Sequence, residues 1–178
     1  VIHRDLKPDN VMVGRFGEVY VMDWGIAKLV GQSEVAVADA PDPPPHDAFD
    51  RTRVGAVIGT PAYMAPEQAR GEDVDHRADS YALAAIVYRC LTGHPAFTGK
   101  DVPTTLYDVV YKMPTRPSLL ASELGTDVDR VLALGLAKDR QARFEQAGAF
   151  ADALAAALED RLEARLRSQA DALIAAHA

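Results

Sequence analysis

The chain has 178 residues, 48% hydrophobic and 25% charged, the size and balance of one globular domain. Lys and Arg number 19 against 26 Asp and Glu, a net charge of −7 that argues against gripping nucleic-acid backbone or anionic lipid. A single cysteine, Cys90, excludes an internal disulfide framework, and the apolar run 81–88 is far too short to cross a bilayer.

The first ten residues, Val-Ile-His-Arg-Asp-Leu-Lys-Pro-Asp-Asn, pass from a short apolar stretch into a rigid polar loop. Read alone, Asp5 to Asn10 would also serve as a polar turn with an Asx cap. Two β-prone runs, 11–13 and 19–22, then flank Gly14 and Gly17 and read as a hairpin that holds Asn10 near Asp23. The stretch 14–20 looks superficially like a phosphate-covering glycine loop. A Gly-x-Gly-x-x-Gly ending at Gly17 needs glycine at position 12, where Met12 stands. Residues 31–50 carry five carboxylates (Glu34, Asp39, Asp42, Asp47, Asp50), four prolines and no Lys or Arg. That composition reads as a long acidic, mobile functional loop.

A helical body follows. Pro66 and Gly71 bracket a short helix. Asp75 caps a long one to about residue 91, stopped by Gly93 and Pro95, and apolar all round over 82–87, so buried. Cys90 on that helix reads as a small core hydrophobe. Residues 101–113 form another helix, broken by Pro114 and Pro117. Thr126-Asp127-Val128-Asp129 has capping-box form and opens a helix to about 137. After Phe144 an Ala-rich helical stretch runs to the end, with Leu154, Leu158, Leu162 and Leu166 as a stripe and Glu163–Arg167 as an i,i+4 pair. Beyond Glu159 it reads as a solvated terminal helix, with a partner helix or linker as the other option. The five histidines show no ligand spacing, so no zinc site is expected.

Three ordered motifs carry a resemblance. His3-Arg4-Asp5 with Asn10, Asp23-Trp24-Gly25, and the stretch 59–67 (Gly-Thr-Pro-Ala-Tyr-Met-Ala-Pro-Glu) resemble the catalytic loop, metal-binding triplet and activation-segment end of eukaryotic-type protein kinases. The resemblance implies a mainly α fold with a small β-hairpin: the kinase C-terminal lobe over 1–158, activation segment 23–67, with a helical extension over 159–178. It implies Asp5 as catalytic base, Lys7 as the phosphate's point charge in the Ser/Thr-specific branch, and Asn10 and Asp23 as Mg²⁺ ligands for ATP. His3 would brace the loop, with Trp24 packed beside it in place of the usual Phe and its N–H needing a partner. Arg4 would clamp a phosphorylated residue, for which Thr52 is the candidate and Ser33 a weaker one; Thr52 also reads as an ordinary solvated threonine. Thr60 would bond the catalytic loop, Asp79 would hold that loop's backbone, and Glu67 with Arg143 would form a buried pair, Arg143 otherwise reading as a surface cation.

The glycine-rich loop, its lysine and the partner glutamate of the N-terminal lobe do not occur in these residues. The expectation is a fragment that needs that missing lobe as partner, with apolar surface open near Ile86 and Val87 and little ATP binding alone. The implied function is γ-phosphate transfer from ATP to Ser/Thr hydroxyls of protein substrates, in the cytoplasm or on a parent tethered to membrane elsewhere. A non-catalytic kinase-like scaffold and a small-molecule phosphotransferase of the aminoglycoside type are the alternatives.

Overall fold

A computed structural model of the chain describes residues 1–29 and 60–177. The acidic stretch 31–50, Ser33 and Thr52 lie outside the described residues. After a 3₁₀ turn at Pro8–Asn10, β1 (Val11–Val13) pairs antiparallel with β2 (Val19–Val21), Met12 opposite Tyr20. Gly17, at φ 89°, takes the left-handed turn conformation that glycine adopts without a Cβ penalty. A second antiparallel contact, Ile2 with Lys28, closes with two 2.8 Å backbone bonds and ties the start of the chain to the residues after Gly25.

The helices are α1 (Pro66–Ala69), α2 (Arg77–Thr92), α3 (Val102–Tyr111), α4 (Pro117–Leu120), α5 (Thr126–Gly135), α6 (Ala147–Leu158) and α7 (Ala164–Ala175). The core gathers around Tyr81, Ala84, Ala85 and Tyr88 of α2, Val128, Val131 and Leu132 of α5, and Phe150 and Ala153 of α6. Helix α2 stops at Gly93, φ 74°, the left-handed C-cap that the sequence marks. No described helix is long and apolar enough to cross a membrane.

Several details differ from the sequence reading. Cys90 is exposed. On α2 the positions 79, 83, 86 and 90 lie close to one side by the 3.6-residue period; Asp79 there reaches the loop before β1, and at Cys90 that side meets solvent. Exposed apolar side chains gather on the hairpin, at Met12, Val13, Phe16, Val19 and Tyr20, and recur at Tyr107, Tyr111 and Leu119, whereas Ile86 and Val87 are half-buried. The capping box at Thr126 does not form: the N-cap is Gly125, and Asp129 instead accepts from Ser118 N and Oγ at 2.8 and 2.6 Å. A helix-start pattern loses here to a tertiary partner.

The C-terminal helix is not continuous. Asp160 sits at φ 55°, the chain turns between α6 and α7, and Leu162 is buried while Leu158 is exposed. Helix α7 returns onto α5, where Arg167 bonds Asp127 rather than Glu163, and Arg130 bridges Asp127 and Asp171. Arg167 first, and Arg130 after it, hold the Asp127 carboxyl below its usual range.

Lys138, just past α5, caps the end of α3. Its Nζ donates to Val109 O at 2.6 Å and lies 4.1 Å from the Phe97 ring centroid. Burial, with the fields of Arg143 and Arg70 added and Asp108 opposing, pushes the amine from 10.5 down to about 7. The folded chain therefore releases this proton near pH 7, while the unfolded chain keeps it to 10.5. The cost is full below pH 7 and fades as pH rises toward 10.5. Relative to Lys138→Met, the wild-type chain should gain about 2.5 kcal/mol of stability between pH 6 and pH 9. Urea melts at the two pH values check this; parallel pH profiles would refute it.

Candidate active site

The loop before β1 is held from beneath by one carboxylate. Asp79, in the first turn of α2, accepts from His3 N at 2.8 Å through Oδ2 and from Arg4 N at 3.0 Å through Oδ1. Arg4 adopts φ 68°, a left-handed conformation costing a non-glycine residue about 1 kcal/mol or more, so it needs such support. Its guanidinium Nε donates to Ile26 O at 2.6 Å.

His3 is buried and bridges two segments of the site. Its Nε2 donates to Met22 O at 2.8 Å and its Nδ1 accepts from Asp5 N at 3.3 Å, which fixes the tautomer with hydrogen on Nε2. Trp24 meets the imidazole edge-on at 4.7 Å, and its indole N–H donates to Val21 O at 2.9 Å. The larger ring thus has its polar partner within the hairpin.

Donors converge on Asp5. Thr60 N and Oγ1 donate to Oδ1 at 2.9 and 3.0 Å, Lys7 Nζ donates to Oδ2 at 2.8 Å, and Asn10 Nδ2 approaches Oδ2 at 3.4 Å. Lys7 Nζ also reaches Thr60 Oγ1 at 3.1 Å, so that hydroxyl accepts from the lysine and donates to the carboxylate. The hydrogen bond to Asp5 raises the Lys7 amine above its ordinary value; partial burial opposes it and the fields of Asp5, Asp23 and Asp9 add to it.

Asn10 is buried, with Nδ2 donating to Asp5 O at 2.8 Å, so its amide oxygen is the end available to a cation. Met22 N donates to Asn10 O at 2.8 Å, which sets Asp23 one residue from Asn10's neighbour across the hairpin. Asp23, at φ 59°, is exposed. Among the described residues no group of three or more His, Cys, Asp or Glu forms a metal cage. Mg²⁺ does not require one. It keeps several waters and takes one or two protein oxygens plus phosphate, which an amide oxygen and a carboxylate fit.

The segment bearing Thr60 is anchored through α1. Glu67 and Arg143 meet in a two-pronged pair at 2.7 Å on each prong, both side chains essentially inaccessible to water. Arg143 further donates to Ala137 O at 2.8 Å and lies 4.9 Å from the Tyr81 ring centroid. Gln68, beside Glu67, bonds Arg4 O at 2.8 Å and Ala65 N at 3.2 Å, a link the sequence reading did not single out. The one hint was glutamine at the third position of a helix that opens with proline.

This arrangement puts a carboxylate, a lysine and a cation-ready amide on one loop, with the segment that begins at Thr60 bonded to it. The family model described as "Protein kinase domain" matches residues 1–154. The chain belongs to the protein kinase domain family. It is 40% identical over 147 residues to the serine/threonine-protein kinase PknB of Mycobacterium tuberculosis, covering 83% of this chain and 21% of that protein. It is 39% identical to PknB of Mycobacterium leprae and 37% to PknB of Mycolicibacterium smegmatis, each over 147 residues, 83% of this chain and 21% of the relative. The chain therefore spans about a fifth of the length of the curated relatives it matches. Helix α7 lies beyond the matched residues. Kinases of this family use ATP and Mg²⁺.

Removing one half of the buried pair leaves the other charge stranded. Arg143→Met should cost about 3–5 kcal/mol, and the double variant Glu67→Met/Arg143→Met should recover part of that loss. Urea melts of the three proteins check the order; equal losses in single and double variants would refute it.

Proposed function

We propose that this chain forms the catalytic-loop half of a serine/threonine protein kinase, acting on protein hydroxyls with ATP. The observation that carries the reading is the Asp5 carboxylate held between Thr60 and Lys7. A carboxylate offers roughly four lone-pair directions. Here three are taken by short bonds and the fourth by the 3.4 Å contact from Asn10. That weak contact is the one an incoming serine or threonine hydroxyl would displace. Asp5 then orients the hydroxyl and receives its proton at Oδ2 as the oxygen attacks.

Lys7 stands two residues on, bonded to both Asp5 and Thr60, and supplies positive charge beside the reacting hydroxyl. Asn10 through its amide oxygen and Asp23 through its carboxylate would hold Mg²⁺. The ion, when bound, neutralises charge on the phosphates. Thr60 and the 61–67 segment support the substrate chain, with Glu67–Arg143 fixing their height above the loop. Arg4 belongs to this reading as the clamp for a phosphate on Thr52. Protein substrates, a cytoplasmic location, and a lobe unit over 1–158 with 159–178 as an appended element complete it.

The test uses the full protein that carries this chain, with ATP, Mg²⁺ and a serine- or threonine-containing protein substrate. Asp5→Asn keeps shape but cannot take the proton, and should lower kcat by about 10² to 10⁴ while circular dichroism shows the fold retained. Transfer by the variant at the wild-type rate would sink the role of Asp5, and absence of transfer by the wild type would sink the kinase reading and favour a binding module.

A further inference from the structure

Asp5 is aimed by the peptide plane that precedes it, and that plane is gripped on both edges. On one edge Asp5 N donates to His3 Nδ1 at 3.3 Å; on the other Gln68 Nε2 donates to Arg4 O at 2.8 Å. Arg4 is the left-handed residue whose own N–H is pinned by Asp79. Without a partner on its carbonyl, a residue at φ 68° has a lower-energy conformation within reach, and the Arg4–Asp5 plane can turn toward it. Such a turn swings the Asp5 Cα–Cβ bond and hence the carboxylate.

Gln68 can do this because its amide orientation is determined. Oε1 accepts from Ala65 N at 3.2 Å at the start of α1, which leaves Nε2 for Arg4 O. A flipped amide would set nitrogen against nitrogen and oxygen against oxygen. Only a side chain with one acceptor and one donor, at this length, satisfies both groups. Helix α1 is itself fixed by Glu67 on Arg143, so Gln68 transmits the position of a buried anchor to the loop carrying Asp5.

We propose that Gln68 is a positioning residue for Asp5, holding the Arg4–Asp5 peptide plane in the orientation that phosphoryl transfer requires. This rests on the reading of Asp5 as the residue that orients the substrate hydroxyl.

Two substitutions separate this role from simple capping of α1. Gln68→Glu keeps an acceptor for Ala65 N and removes the donor to Arg4 O; Gln68→Met removes both. In the full protein carrying this chain, Gln68→Glu should lower kcat roughly tenfold at pH 8, with KM for ATP within about twofold, because the loss is one of alignment and not of binding. As pH falls toward 5 its kcat relative to wild type should recover, since a protonated carboxyl regains the O–H donor. Gln68→Met should show the lowered kcat with no recovery at low pH. If Gln68→Glu matches wild type at pH 8 while Gln68→Met melts earlier, Gln68 is a helix cap only and the proposal is overturned. A pH-independent deficit in Gln68→Glu overturns it too. Asp5→Asn, run in parallel, separates the two failures: if it transfers phosphate as well as wild type, the role of Asp5 falls, and the role of Gln68 with it.

Discussion

The buried pair between Glu67 and Arg143 is the constraint on which the rest of the site depends. Two ions removed from water are costly to each other's surroundings unless every direction is filled. On the guanidinium each N–H is filled: two short bonds to Glu67, the backbone carbonyls of Ala137, Arg77 and Lys138, and an aromatic face beneath it. The pair joins a four-residue helix that could not persist alone to the end of α5 and the start of α2. A helix so short has no stability of its own. Its place, and so the place of Thr60 before it, is set from outside.

A second organiser works from α2. That helix buries one face against α5 and α6 and offers Asp79 on another, where it collects the amides of His3 and Arg4. The loop before β1 thus has almost no regular structure of its own and is specified by carboxylate, imidazole and amide partners on neighbouring elements. Polar groups of this kind define one geometry, since a partial set leaves buried donors unmatched.

Much of this was legible in the residues, and the exceptions share a cause. The limits of α2 followed from Asp75 and Gly93, and the hairpin from β-prone runs around two glycines, because each signal is local. The partners of Asp79, Glu67 and Arg143 came from the order of motifs, not from composition. What escaped was decided across space. Gln68 meets Arg4 over 64 positions, and nothing near either residue announces it. The break after Leu158 runs through good helix formers, and is imposed by burial of Leu162 and by Arg167 turning to Asp127. Cys90 sits on an apolar helix yet outside its buried face, a distinction the average hydropathy of a window does not make.

The site's tethers also carry a kinetic consequence. His3 meets Asp79, and Glu67 meets Arg143, each across 76 positions, whereas α5, α6 and α7 are consecutive helices along the chain. Loop closure over long separations costs entropy before any contact repays it, so neighbouring helices condense ahead of distant pairings. The chain has a single tryptophan, Trp24, and it sits against His3 in the late-forming part. Backbone ellipticity and indole emission therefore watch two different events in refolding. The helical body should assemble first, and the indole should report the packing of Trp24 against His3.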